Sequence, residues 1–250
     1  MNLPSKSNHT FLVIDQGNTL TKVALFGKDG LIFVRHFDTF TASDVNSLGI
    51  NQEDISAGII SSVSADPKII KELFTSVNWL ILDHNTPLPV INNYSTPETL
   101  GKDRIAAVVA AASLFPEKDV LVIDAGTAIT YDIITKDKVY IGGSISPGLT
   151  IRFKALHTFT GRLPLFEATI FEDLIGRDTY GSILSGVMHG AIFEMNGFIN
   201  EYERLYPGLE IILTGGDAIY FDKMLKSHIF ASPNLVLNGL KLILQYNFEK

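Results

Sequence analysis

Apolar and polar positions along this chain form two patterns, short apolar runs bounded by turn residues and longer stretches with helical spacing, and the two alternate. Residues 11–14, 21–26 and 31–37 predict three strands, and Gly27-Lys28-Asp29-Gly30 between the last two is a turn whose glycines admit positive φ. An antiparallel meander is therefore expected at the start. Residues 57–61 and 79–82 predict two short buried strands around an amphipathic segment, 67–74, whose proline suits a first helical turn. A polar, proline-bearing loop is expected over 84–100. The alanine-rich stretch 103–114 then predicts a helix apolar nearly all round, which has to be buried between other layers or subunits.

The scheme returns in the second half. An apolar run over 120–123 ends at Asp124, residues 129–134 and 139–145 follow, and Lys136-Asp137-Lys138 makes the turn between them. Ile183, Val187, Ala191, Met195, Phe198, Tyr202 and Leu205 recur at helical spacing. A strand over 210–213, a Thr214-Gly215-Gly216 turn and helices near 219–225 and 237–246 complete the pattern. Asp15-Gln16-Gly17-Asn18-Thr19-Leu20-Thr21 and Asp124-Ala125-Gly126-Thr127-Ala128-Ile129-Thr130 both follow an apolar strand and enter a hairpin. This repeat predicts two similar α/β domains, 1–114 and 115–250, joined near 113–118, with a cleft between them suited to a ligand.

Composition narrows the function. A chain of 250 residues fits two modest domains or one large one. The balance of 20 Lys and Arg against 27 Asp and Glu leaves a net charge of −7, which gives no electrostatic footprint for DNA or RNA. An enzyme acting on small molecules is the simpler expectation. With no cysteine there is no disulfide framework, thiolate zinc site or cysteine nucleophile. The apolar run 11–14 stops at Asp15, too short for a signal peptide, and the low-charge stretch 105–115 is about half the ~20 residues needed to span a bilayer. No membrane segment is expected, and a cytoplasmic location is the default. Only 19% of residues are charged and mean hydropathy is +0.22, a sparse polar cover that favours a homo-oligomer.

The candidate chemistry sits in the repeated corners. Asp-x-Gly at the end of a strand lets a carboxylate project from the sheet edge while glycine lets backbone N–H groups approach an anion, most naturally phosphate. A carboxylate beside a polyphosphate needs a cation between them, so Asp15 is placed to hold magnesium directly or through water. Asn18 and Thr19 add neutral donors, and Lys22 would neutralise a terminal phosphate. The same residues also make an ordinary turn, and only the second copy tips the balance toward nucleotide binding. Thr214-Gly215-Gly216 reads equally as a phosphate or adenosine contact and as a plain strand-to-helix turn.

Leu100-Gly101-Lys102-Asp103-Arg104 enters the alanine-rich helix. Asp103 is either a first-turn carboxylate favoured by the helix dipole or a base for a substrate hydroxyl, with Arg104 meeting a phosphoryl or carboxylate group. Gly142-Gly143-Ser144-Ile145-Ser146-Pro147-Gly148 reads as a flexible ligand edge or a structural glycine turn. His9, His36, His84, His157, His189 and His228 show no metal-binding spacing, and neither a P-loop nor a Gly-x-Gly-x-x-Gly fingerprint is present.

Taken together, Asp15-x-Gly17-Asn18-Thr19-x-x-Lys22, Tyr94, Gly101-x-Asp103-Arg104, Asp124-x-Gly126-Thr127, Gly142-Gly143 with Pro147-Gly148, and Thr214-Gly215-Gly216 resemble type III pantothenate kinase. Each motif is weak alone, but the set runs through almost the whole chain. The resemblance implies two duplicated ribonuclease H-like domains of the acetate kinase, sugar kinase and actin superfamily. It implies ATP-dependent phosphorylation of the primary hydroxyl of pantothenate, the first committed step toward coenzyme A. Another small-molecule kinase or phosphohydrolase on the same scaffold, or a nucleotide-binding regulator without turnover, are the alternatives.

Residue by residue, the resemblance implies ATP binding by Asp15, Gln16, Gly17, Asn18, Thr19, Leu20, Thr21 and Lys22, with Asp15 near Mg2+ or another divalent cation, and a further ATP contact at Thr127. Asp103 would be the proton acceptor, and Gly101, Lys102, Asp103 and Arg104 would shape the pantothenate site. Tyr94 and Thr179 would touch substrate. Asp124 would hold the monovalent cation, K+ or NH4+, that the family needs, and the active site would be completed in a homodimer.

Overall fold

Three strands open the chain where the alternation predicts them. β1 (Phe11–Gln16), β2 (Thr21–Gly27) and β3 (Gly30–Phe37) pair antiparallel in succession. The computed structural model of the chain describes residues 10–63, 66–222, 224–225 and 228–248, so His9 lies outside it. Helix α1 (Ala42–Ser47) starts at a capping box in which Thr41 and Asp44 satisfy each other's backbone N–H groups. β4 (Ala57–Ser62) then runs parallel to β1, and α2 (Pro67–Leu73) begins with its proline, where the Asp66 side chain accepts from the Lys68 N–H at 2.9 Å. β5 (Trp79–Ile81) pairs parallel with β4. This sheet has the order β3-β2-β1-β4-β5. Leu12, Ile14, Ile60, Ile70 and Phe74 pack one of its faces.

The stretch expected as a plain loop, 84–100, instead contains a two-residue strand, β6 (Ile91–Asn92), and a short 3-10 turn over Pro97–Thr99. α3 (Lys102–Leu114) follows, and residues 105–112 are all buried, as an all-apolar helix requires.

The second meander is β7 (Val120–Ala125), β8 (Ala128–Ile134) and β9 (Val139–Pro147), again antiparallel. β9 corrects the reading of 142–148 as a flexible glycine-rich edge: its ladder with β8 continues to the pair Ala128 and Pro147, so the segment is sheet up to its last residue. Two helices follow, α4 (Leu149–Phe159), which has no counterpart in the sequence reading, and α5 (Thr179–Leu205), whose Asp178 side chain accepts from the Gly181 N–H at 2.7 Å. β10 (Glu210–Thr214) runs parallel to β7. α6 (Ala218–Phe221) is shorter than the predicted 219–225, β11 (Phe230–Ala231) pairs parallel with β10, and α7 (Leu235–Phe248) ends the described chain.

The second sheet has the order β11-β10-β7-β8-β9-β6. Apart from the added edge strand β6, it reproduces the first sheet in both order and strand sense. Its core joins Leu121, Ile123 and Tyr131 to Phe153 of α4 and to Leu184, Met188 and Met195 of α5. The chain forms two compact units, one of Met1–Pro89, Ser95–Ala110 and Val236–Lys250, the other of Val90–Tyr94 and Ala111–Leu235. No helix among the described residues is long and apolar enough to cross a membrane.

Candidate active site

In the first unit the chemistry gathers at the ends of β1 and β4 and the start of α3. Register sets Asp15 opposite Lys22 of β2 on one side and Ser61 of β4 on the other. The Ser61 hydroxyl donates to Asp15 Oδ1 at 3.0 Å. Burial drives the Asp15 carboxyl above its ordinary value, the Ser61 hydrogen bond and the Lys22 charge work against that, and the nearby Asp103 carboxylate raises it further.

Asp103 stands in the first turn of α3, exposed, its Oδ1 accepting from the Arg104 N–H at 2.9 Å. That oxygen lies 2.5 Å from where a Cβ on residue 101 would sit, so a side chain at 101 would make the carboxylate shift. Lys102 Nζ donates to the Ser62 carbonyl at 2.9 Å and ties the helix start to the end of β4, while the Arg104 side chain is buried. Ser61 and Ser62 were not among the candidate residues. Their signal was there, since two hydroxyls end an otherwise apolar strand that runs parallel to β1.

The hairpin after β1 closes with the Gly17 N–H donating to the Leu20 carbonyl at 3.0 Å, leaving Asn18 and Thr19 exposed at its tip. Thr21 is buried and pairs with Gln16. Gln16 is also buried, by strand alternation on the face opposite Asp15, and its Oε1 has no hydrogen-bond partner in the structure.

The second unit carries the matching corner with one difference. Asp124 pairs with Thr130 of β8 and with Thr214 of β10. Asp15 pairs with Lys22, seven positions on, whereas Asp124 pairs with Thr130, six on, so the second hairpin is one residue shorter and closes through the Gly126 N–H to the Ala128 carbonyl at 3.0 Å. The Thr127 carbonyl accepts from the Gly148 N–H at 3.1 Å, which fixes this hairpin to the start of α4. Gly215 has φ +96°, and a Cβ there would lie 2.5 Å from Asp124 Oδ1 and would overlap the Ala125 carbonyl. The turn after β10 therefore lies directly against the Asp124 carboxylate, which only glycine permits. The Asp217 N–H closes the same turn onto the Ala125 carbonyl at 2.9 Å, and burial raises the Asp217 carboxyl above its ordinary value.

The remaining two candidates also lie in the second unit. Tyr94 follows β6 and stacks on Tyr140. Thr179 is the first residue of α5 and lines a largely apolar cavity of about 1120 Å³ between α4, α5 and the segment joining them, together with Arg152, Arg177 and Ser182.

A family model described as type III pantothenate kinase matches residues 11–201. The chain is 48% identical over 240 residues to a Bacteroides fragilis protein named type III pantothenate kinase, covering 94% of this chain and 98% of that one. It belongs to the type III pantothenate kinase family. Among solved structures, a Campylobacter jejuni protein assigned to a Baf family of transcriptional activators superposes with a TM-score of 0.63 at 22% identity, over 96% of this chain and 100% of the other. Lmo2764 of Listeria monocytogenes, assigned as an N-acetylmannosamine kinase, gives 0.56 at 12% identity, over 95% and 99%. These last two likenesses establish the fold alone, a mixed α/β fold.

A kinase of this family implies ATP with a divalent cation, and the first unit's donors fit one. Among the described residues no three carboxylate or histidine side chains converge as a metal site. Magnesium does not require such a cage, because it keeps several waters and binds through one or two carboxylates plus substrate phosphates. Asp15, a carboxylate disfavoured by burial and by Asp103, is the oxygen donor whose charge such a cation would relieve.

One cluster in this family member escaped the sequence reading. Glu194 of α5 accepts from Tyr131 of β8 at 3.1 Å and Ser146 of β9 at 2.5 Å, and pairs with Arg152 of α4 at 2.7 Å. Burial opposes the Glu194 charge, but the Ser146 and Arg152 hydrogen bonds and the guanidinium outweigh it, so its carboxyl titrates below the ordinary value of 4.5. A lowered folded-state value means stability that is present above about 4.5 and lost as pH falls through the folded value. Glu194→Gln is expected to lower the thermal midpoint at pH 7 by the equivalent of about 1 kcal/mol and to shrink that difference toward zero in acid. A pH-independent difference between the two proteins would show that packing, not charge, holds these four elements.

Proposed function

We propose that this chain transfers the γ-phosphoryl group of ATP to the primary hydroxyl of pantothenate, the entry to coenzyme A synthesis. The observation that carries the reading is the pairing of Asp103 with Asp15 in one electrostatic neighbourhood: a base candidate beside a phosphate corner. Phosphoryl transfer passes through a loose transition state, so the protein's main work is alignment and charge neutralisation. Asp103 accepts the hydroxyl proton while Gly101, Lys102 and Arg104 shape the pantothenate site. Asn18 and Thr19 donate to ATP phosphates from the hairpin tip, Lys22 meets their charge from β2, and Thr127 adds a contact from the second hairpin. Divalent metal, when bound through Asp15, supplies charge neutralisation at the transferring oxygens. Asp124 supplies a carboxylate for K+ or NH4+.

The fold part of the reading is two ribonuclease H-like domains divided near residue 114. The shared order β3-β2-β1-β4-β5 and β9-β8-β7-β10-β11 supports it. A homodimer completes the reading, supported by the exposed apolar side chains Phe159, Ile170, Leu174, Ile175 and Phe193.

An ADP-release assay with and without pantothenate, in potassium and in sodium buffers, tests the whole. Release that depends on pantothenate and rises with potassium is the expected result. Release with water or another alcohol would make the protein a phosphohydrolase or a different kinase, and binding of ATP without release would make it a regulator.

A further inference from the structure

Tyr94 sits among residues of β6 and β9. The Asn93 N–H donates to the Tyr140 carbonyl at 3.0 Å, continuing the pairing of Asn92 with Tyr140 in the β6–β9 ladder. The Tyr94 N–H is turned by the Asn92 side chain, which accepts it at 3.1 Å. The Tyr94 and Tyr140 rings stack with centroids 6.0 Å apart and an interplanar angle of 12°. Tyr140 itself is fully buried and donates its hydroxyl to Asp132 Oδ1 at 2.7 Å, and Asp132 is only 1% exposed. On the other side, Tyr94 Cδ2 lies 3.4 Å from where a Cβ on residue 142 would be, and Gly142 holds φ +125°. The β8–β9 register shifts at this point, Ile133 pairing with Gly142 and Ile134 with Tyr140, so an extra residue bends β9 and opens the space the ring fills.

A buried tyrosine bonded to a buried carboxylate is an expensive arrangement for a strand that needs only to be apolar. Its effect is to fix the height and tilt of one partly exposed aromatic ring. We propose that Tyr140, anchored by Asp132, is a positioning residue that sets the Tyr94 ring for the acceptor substrate, with Gly142 leaving room for it. This rests on the reading of Tyr94 as a pantothenate contact.

The test uses the full chain with Tyr140→Leu, Tyr140→Phe and Tyr94→Leu, measuring kcat, KM for pantothenate, KM for ATP and the thermal midpoint. An aromatic pair contributes about 0.5–1.5 kcal/mol beyond its buried area, so Tyr140→Leu is expected to raise KM for pantothenate about 2- to 12-fold with KM for ATP unchanged. Tyr140→Phe keeps the ring but loses the bond to Asp132 that anchors it, so it is expected to lower the thermal midpoint and to raise KM for pantothenate by less than Tyr140→Leu does. Equal rises in both KM values, or equal KM rises in the Leu and Phe variants, would reduce Tyr140 to a core residue. If Tyr140→Leu does not fold, Tyr140→Phe carries the test alone, and an unchanged KM for pantothenate beside a lowered thermal midpoint there overturns the proposal. Tyr94→Leu separates the two ideas. An unchanged KM for pantothenate in that variant defeats the role of Tyr94, whereas a raised value beside a normal Tyr140→Leu defeats only the positioning.

Discussion

Asp103→Asn is expected to lower kcat about 10²- to 10⁴-fold, equivalent to about 2.7 to 5.4 kcal/mol of lost transition-state stabilisation, with little change in folding. Asparagine keeps the side-chain oxygen that accepts from the Arg104 N–H, so the first turn of α3 survives the exchange. What disappears, on the proposed mechanism, is the basic oxygen that would take the hydroxyl proton. The magnitude decides between two accounts, because a loose transition state asks little of a base and much of alignment. A near-normal kcat would leave Asp103 as a helix-start carboxylate and move the proton to solvent or to the phosphate itself.

Asp15→Asn is expected to do two opposite things. Productive use of metal-ATP should fall on the order of 10²-fold, the usual effect of removing one electrostatic contact to a transferring group, while pantothenate affinity is preserved. The unliganded protein should become more stable at neutral pH. The sign follows from the raised carboxyl: the folded state holds its proton more tightly than the unfolded chain, so stability declines as pH rises from the ordinary carboxylate value of 3.8 through the folded one, and the cost persists above it. Asparagine removes that cost and can still accept from Ser61. Thermal melts with and without Mg-ATP read both effects. Equal loss of ATP and pantothenate binding, with a lowered midpoint, would make Asp15 a structural residue.

The candidate chemistry most open to a reading of the sequence lay in the two hairpins and the Gly-x-Asp-Arg turn, where the proposed residues are neighbours in the chain. The meanders were legible for the same reason: alternation and turn residues are local signals. What escaped was built from distance. Glu194 reaches Ser146 and Arg152 across 48 and 42 residues, and a lone glutamate on a long helix reads as solvated surface. β6 is two residues long, too short to register as a pattern, yet it hangs Tyr94 on β9. α4 was obscured by the glycines and proline just before it, and buries only Leu149 and Phe153, a weak periodic trace. The two Asp-x-Gly corners look alike letter by letter, but the ladders show one hairpin shorter by a residue, a difference no local pattern carries. Family membership rests on the similarity of the whole chain, not on any one of these motifs.

α7 has a bearing on how the molecule is made. Its buried residues Leu237, Leu240, Ile243 and Leu244 belong to the unit that begins with β1. On the ribosome, where folding ordinarily proceeds from the amino terminus, the unit that contains β1 cannot close its interior until α7 has emerged. The half translated between them has all its parts sooner. The first unit is therefore completed only after every strand of the second has been made.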